Sequence, residues 1–76
     1  MIGKRQVAAA RGLLNWSRQE LADRAEVSLR TIARFESGEG DITASKLEKL
    51  EDVLLDVGIV FVDGGVTLES LKRDKR

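Results

Sequence analysis

The chain has 76 residues, 42% hydrophobic and 34% charged, a globular composition that fits one small domain. It has no cysteine and no histidine, which excludes disulfides, thiolate metal sites and every Ser-His or Cys-His catalytic pair. The formal net charge is zero, yet residues 1–34 carry seven basic against three acidic side chains (net +4) and residues 35–76 carry six against ten (net −4). That division suits one face turned to a polyanion and another kept away from it. No apolar run approaches the roughly 20 residues of a membrane span, and residues 1–12 lack the apolar segment of a secretory leader. No catalytic, metal-ligating or cofactor-binding constellation is present, and no phosphate-loop or dinucleotide fingerprint. The expectation is a cytoplasmic binding module and not an enzyme.

The first predicted element is a helix over Lys4 to Leu14. Val7, Ala10 and Leu14 recur at i, i+3, i+7, and Ala8 to Ala10 favour helix. Gly12 weakens its end, and Asn15 suits a left-handed exit. Ser17 and Glu20 then form a capping-box pair, with Trp16 and Leu21 placed as a hydrophobic staple. A second, short helix follows over Arg18 to Ala25, with Leu21, Ala22 and Ala25 inward. Ser28 is the next N-cap, and Val27 and Ile32 repeat the staple. The third helix runs from Leu29 to Ser37 and stops at Gly38. It buries Ile32 and Phe35, with Ala33 beside them, and its outer face carries Leu29, Arg30, Thr31, Arg34 and Ser37.

Glu39-Gly40-Asp41 is turn chemistry, and Thr43 caps a fourth helix to about Val57. Leu47, Leu50, Leu54 and Val57 form its apolar stripe. After Gly58 the period changes. Ile59 to Val62 is β-branched and aromatic, Asp63-Gly64-Gly65 is a turn, and Val66 to Leu68 resumes, so a two-stranded hairpin is predicted. Glu69 to Arg76 is a polar, basic tail: a solvated terminus or an accessory phosphate arm.

Two short helices joined by two or three residues cannot pack antiparallel. They meet steeply, as a helix-turn-helix unit, and Ala22 supplies the small residue that close approach needs. The third helix then projects, and its arginines suit a major groove about 12 Å wide. Helix N-termini add free N–H groups and a positive dipole end for phosphates.

The stretch from Trp16 to Ala22, followed by Val27 to Ile32 and Arg34 to Gly38, resembles the lambda-repressor-like (Xre-type) helix-turn-helix DNA-binding domains. The resemblance covers residues 4–57. It implies a mainly α fold, a compact bundle of four or five helices, here with a C-terminal β-hairpin. It also implies double-stranded DNA as partner and homodimers on palindromic sites. By the resemblance, Leu29, Arg30, Thr31 and Arg34 take base-contact positions, and Arg18, Gln19, Ser28 and Ser37 take phosphate-contact positions. Arg30 suits a bidentate pairing with guanine O6 and N7. Arg18 stands where the family usually has Gln. Arg11 and Glu36 match the pair that bridges the first helix to the end of the third. Glu26 departs from the family, which usually has Gly at that turn. Gly58 to Gly65 also resembles the ending of a subgroup of small bacterial regulators of this type.

Residues 1–58 are thus read as the DNA-binding bundle, and 59–76 as hairpin and basic tail of the same domain. Because both alternating faces of Ile59 to Val62 are apolar, a homodimer interface is expected at Val60, Phe61 and Val62. The functional expectation is a sequence-specific transcriptional regulator, a repressor acting as a homodimer. The alternative is a protein-interaction module on the same fold, an antitoxin or antirepressor. No small-molecule effector is evident.

Overall fold

The computed structural model describes residues 2–69. The elements in chain order are α1 (Lys4–Leu14), α2 (Arg18–Ala25), α3 (Leu29–Ser37), α4 (Ala44–Asp56), β1 (Ile59–Val62) and β2 (Gly65–Leu68). The fold is mainly helical, with four helices among the described residues and an antiparallel hairpin after them. The basic residues Lys72, Arg73, Lys75 and Arg76 lie outside the described residues.

Side-chain caps place three of the helix starts. Ser17 Oγ accepts from Glu20 N at 3.0 Å, Ser28 Oγ from Thr31 N at 3.1 Å, and Thr43 Oγ1 from Lys46 N at 3.3 Å. Each satisfies one N–H that the first turn leaves without a partner. The reciprocal arm expected at Ser17 does not form. The Glu20 carboxylate instead accepts from Arg24 Nε at 2.6 Å, because a cation one turn away outcompetes a neutral backbone N–H. A reciprocal arm occurs at α1, where Gln6 Oε1 accepts from Gly3 N at 3.0 Å. Ile2, buried one residue before Gly3, and buried Val7 stand in the staple positions of that turn.

Helix ends are made by left-handed residues. Asn15 (φ 60°), Glu26 (φ 57°) and Gly38 (φ 81°) reverse the chain after α1, α2 and α3. Asn adopts this region readily and Gly freely, whereas Glu is strained there by about 1–2 kcal/mol. α4 ends one residue before the expected Val57, which is its cap with φ −96°.

The core draws on every element but β2. Val7, Leu21, Ile32, Leu50, Leu54 and Ile59 are each at most 1% exposed, and among the described residues no polar or charged residue is buried as a whole with them. Burying an aliphatic side chain of this kind stabilises by about 1.5–3 kcal/mol. Ala10, Ala22 and Ala25 fill the close helix approaches. Leu14, Trp16, Phe35, Val53 and Val57 pack around the margin, half-buried.

The hairpin pairs Ile59 with Leu68, Val60 with Thr67, Phe61 with Val66 and Val62 with Gly65. β2 lies against α1 and β1 against α4. Gln6 ties the hairpin to α1: its Nε2 donates to Val62 O at 2.8 Å and to Gly65 O at 3.0 Å. Alternation turns Ile59 and Phe61 toward the core and leaves Val60 (37% exposed) and Val62 (45%) outward. Phe61, expected at the dimer interface with the two valines, thus lies on the opposite face of β1 from them. It is half-buried against the core.

Candidate nucleic-acid interface

α3 is anchored on one side and open on the other. Ile32 is fully buried and Phe35 half-buried, so the stripe Arg30, Arg34 and Ser37, at i, i+4, i+7, faces out. Leu29, first residue of the helix, is 42% exposed, an apolar side chain held in solvent at the leading end. Arg30 beside it is exposed, and its side chain has no hydrogen bond or ion pair among the described residues. Thr31 is half-buried, and its Oγ1 accepts from Ser28 Oγ at 2.8 Å.

The other assigned residues have protein partners. Ser28 Oγ caps α3 through Thr31 N. Ser37 Oγ donates to Arg34 O at 3.2 Å, and Gln19 Nε2 donates to Asp23 Oδ1 at 2.8 Å. Arg34 folds back on the turn after α3, with Nη2 donating to Glu39 O at 3.3 Å. Its guanidinium covers Gly40, where an added Cβ would meet Arg34 Nε at 3.0 Å. Arg34 is thus gathered at the C-terminal end of α3, away from Arg30.

Behind that end lies a charged cluster. Arg11 Nε donates to Glu36 Oε2 at 2.8 Å and Arg11 Nη2 to Glu36 Oε1 at 2.6 Å, a bidentate pair from α1 to α3. Arg11 Nη1 also donates to Trp16 O at 3.1 Å. Arg18 joins from the first turn of α2, its Nε donating to Glu36 Oε1 at 3.0 Å. One carboxylate thus ties together α1, α2 and α3. Its side chain is 2% exposed, Arg11's 18% and Arg18's 42%, so the cluster opens to solvent at Arg18. Burial alone would push the Glu36 carboxyl up, but the hydrogen bonds from Arg11 and Arg18, and their charges, outweigh it and hold the group below its ordinary 4.5. The hydrogen bond to Glu36 raises Arg11, against a smaller opposing effect of burial.

Two contacts had no signal in the spacing of the chain. Arg24 lies over the Trp16 ring, 4.3 Å from its centroid, so Trp16 has its inner side on the core and a cation on its face. The Arg18–Glu36 bond joins residues on different helices. Its one trace in the chain is Arg18 itself, a cation at the first position of α2, and the partner becomes visible only after folding.

Among the described residues there is no group of three or more acidic side chains placed to hold a metal ion. No helix among the described residues is long and apolar enough to cross a membrane. No curated protein matches the chain. The helix-turn-helix family model matches residues 7–59, well over half of it. The residues matched run from α1 through α2 and α3 to the start of the hairpin, and the chain belongs to the Xre/lambda-repressor-like helix-turn-helix family of DNA-binding regulators.

Proposed function

We propose that the protein is a sequence-specific transcriptional repressor that binds a two-fold symmetric duplex site as a homodimer. The observation that carries this reading is the unpartnered Arg30 beside exposed Leu29, at the leading end of a helix whose opposite side is locked into the core. An arginine with its whole donor fork free suits the O6 and N7 of guanine, and an apolar neighbour suits a thymine methyl. Phosphate contacts fall to Arg18, Gln19, Ser28 and Ser37 at the flanks. Repression is the output that needs nothing beyond occupancy, since bound DNA is denied to other proteins.

The homodimer reading rests on Val60 and Val62, two β-branched side chains facing out from β1. A two-fold axis near them would present two α3 helices to successive major grooves, about 34–36 Å apart. One observation favours the protein-binding alternative: Glu48, Asp52 and Asp56 form an exposed acidic stripe along α4, a surface that repels DNA.

Selection from a random duplex library separates the two. The DNA reading expects enrichment of a symmetric motif with fixed half-site spacing, and affinity that falls steeply with salt. Absence of any enriched motif at low salt would leave the acidic stripe as the functional surface.

A further inference from the structure

The Arg11–Glu36–Arg18 cluster divides its bonds unevenly. Arg11 uses Nε, Nη1 and Nη2, all on protein acceptors. Arg18 uses Nε alone, on Glu36 Oε1. Its two terminal nitrogens have no acceptor among the described residues, and its side chain is the exposed member of the three. Two guanidinium groups on one carboxylate leave a net positive charge, and the open end of the cluster is where that charge meets solvent. The site is also the N-terminal turn of α2, where backbone N–H groups add partial positive charge.

We propose that Glu36 is a positioning residue for Arg18, holding its guanidinium by Nε so that Nη1 and Nη2 form a fork for one phosphate of the DNA backbone. This rests on the DNA-binding reading above and assigns a separate task within it. Arg30 reads bases at the leading end of α3, and Glu36 lies six residues further along the helix, about 9 Å by helical rise. The two tasks therefore fall at different ends of α3, with Arg18 held at the end away from Arg30 by its bond to Glu36. A free arginine at the start of a helix samples many rotamers and must be ordered on binding. Arg18 is ordered beforehand by a carboxylate that is itself fixed by Arg11, so less freedom is lost at the encounter. The carboxylate stays charged at neutral pH because its two cations hold it below its usual range.

Charge alone and positioning predict opposite signs for Glu36→Gln. Removing a negative charge near a polyanion tightens binding if charge is all that matters. If Glu36 aims Arg18, the same substitution weakens binding. The experiment is a fluorescence-anisotropy titration of the full chain on its selected duplex, at several salt concentrations. It compares wild type, Arg18→Gln, Arg18→Lys, Glu36→Gln and the Arg18→Gln/Glu36→Gln double variant.

Arg18→Gln is expected to weaken binding about tenfold, as for a lost charge-assisted bond, and to reduce the salt slope by about one for each bound protomer. Arg18→Lys keeps the charge but lacks an Nε to hold Glu36 beside a two-pronged fork. It is expected to remain at least about threefold weaker than wild type. Arg18→Gln is expected to matter much less once Glu36 is Gln, a coupling that independent roles would not give. Wild-type affinity for Arg18→Lys, tighter binding by Glu36→Gln, or equal effects of Arg18→Gln in both backgrounds would overturn the proposal. Should Glu36→Gln melt below the assay temperature by circular dichroism, the exposed Arg18→Lys variant decides alone. Failure of wild type to bind any duplex overturns the DNA reading and the proposal with it. Wild-type binding with Arg18→Lys unchanged overturns the proposal only.

Discussion

Glu26 carries a backbone conformation its side chain does not favour. Its φ is 57°, it is exposed, and its side chain makes no hydrogen bond or ion pair among the described residues, although its backbone N–H donates to Ala22 O. Glu26→Gly therefore removes strain without removing a contact, partly offset by the greater freedom of glycine in the unfolded chain. The net gain is about 0.5–1 kcal/mol, and an unchanged or lower urea midpoint would contradict it. Glu36 supplies a test by acid. Its folded-state carboxyl lies below the ordinary 4.5, so the stabilisation it gives is complete above that value and lost as pH falls through the lowered one. Glu36→Gln is expected to cost on the order of 3 kcal/mol at neutral pH, within the roughly 5–10 kcal/mol expected for a domain of this size. The difference between the two proteins narrows as pH falls below 4.5 and through the lowered carboxyl range. A constant difference across that range would mean the carboxylate charge is not what stabilises. At this scale the caps and the exits at Asn15 and Gly38 were legible, because each depends on a residue type and its immediate neighbours, whereas the exit at Glu26 was marked only by the Gly that the family usually has there. The Glu36 to Arg18 bond was not, because Glu36 meets Arg18 only through the packing of α2 on α3.

Elements were the most legible level, for a physical reason. Ser17, Ser28 and Thr43 each offer an oxygen to the N–H groups of a first turn, and Asn15, Glu26 and Gly38 occupy the left-handed exits. The starts of α2 and α3 and the stop of α3 are thus fixed locally, and the observed bounds of both helices equal the expected ones. The change of apolar period after Gly58 likewise marked the hairpin. What spacing could not show is how the hairpin is held down. Gln6 does so from α1 with two bonds to the ends of the turn, a link between residues 56 and 59 positions apart. Gln6→Ala removes both bonds and the arm to Gly3 N. Each neutral hydrogen bond contributes about 1 kcal/mol net, so amide exchange in residues 59–68 is expected to quicken on the order of tenfold or more. Exchange in α2 and α3 is expected to change little. Uniform acceleration would show that the hairpin opens only with the whole domain. Phe61 illustrates the remaining gap, since an all-apolar strand does not reveal from composition which face meets the core.

Across the whole molecule, the halves of opposite charge fold into different elements. Arg18, Arg30 and Arg34 lie on the helix-turn-helix unit, while Glu48, Asp52 and Asp56 lie on α4. The neutral total conceals this uneven placement of charge along the fold. The oligomeric reading rests on Val60 and Val62, and the exposed variant Val60→Lys with Val62→Lys tests it without touching the core. Light scattering is expected to show wild type at twice the chain mass and the variant at the chain mass, with affinity for a symmetric site reduced. A variant that stays dimeric and binds as before places the interface elsewhere. The central claim is that the open face of α3 reads bases through Arg30. The most direct measurement is selection from random duplexes performed in parallel with wild type and Arg30→Ala. Wild type is expected to enrich a symmetric motif with one guanine in each half-site that the variant no longer prefers, a loss of about 1–3 kcal/mol of discrimination at that base pair with the flanking preferences kept. The same motif, with the same guanine preference, recovered by Arg30→Ala would contradict the account.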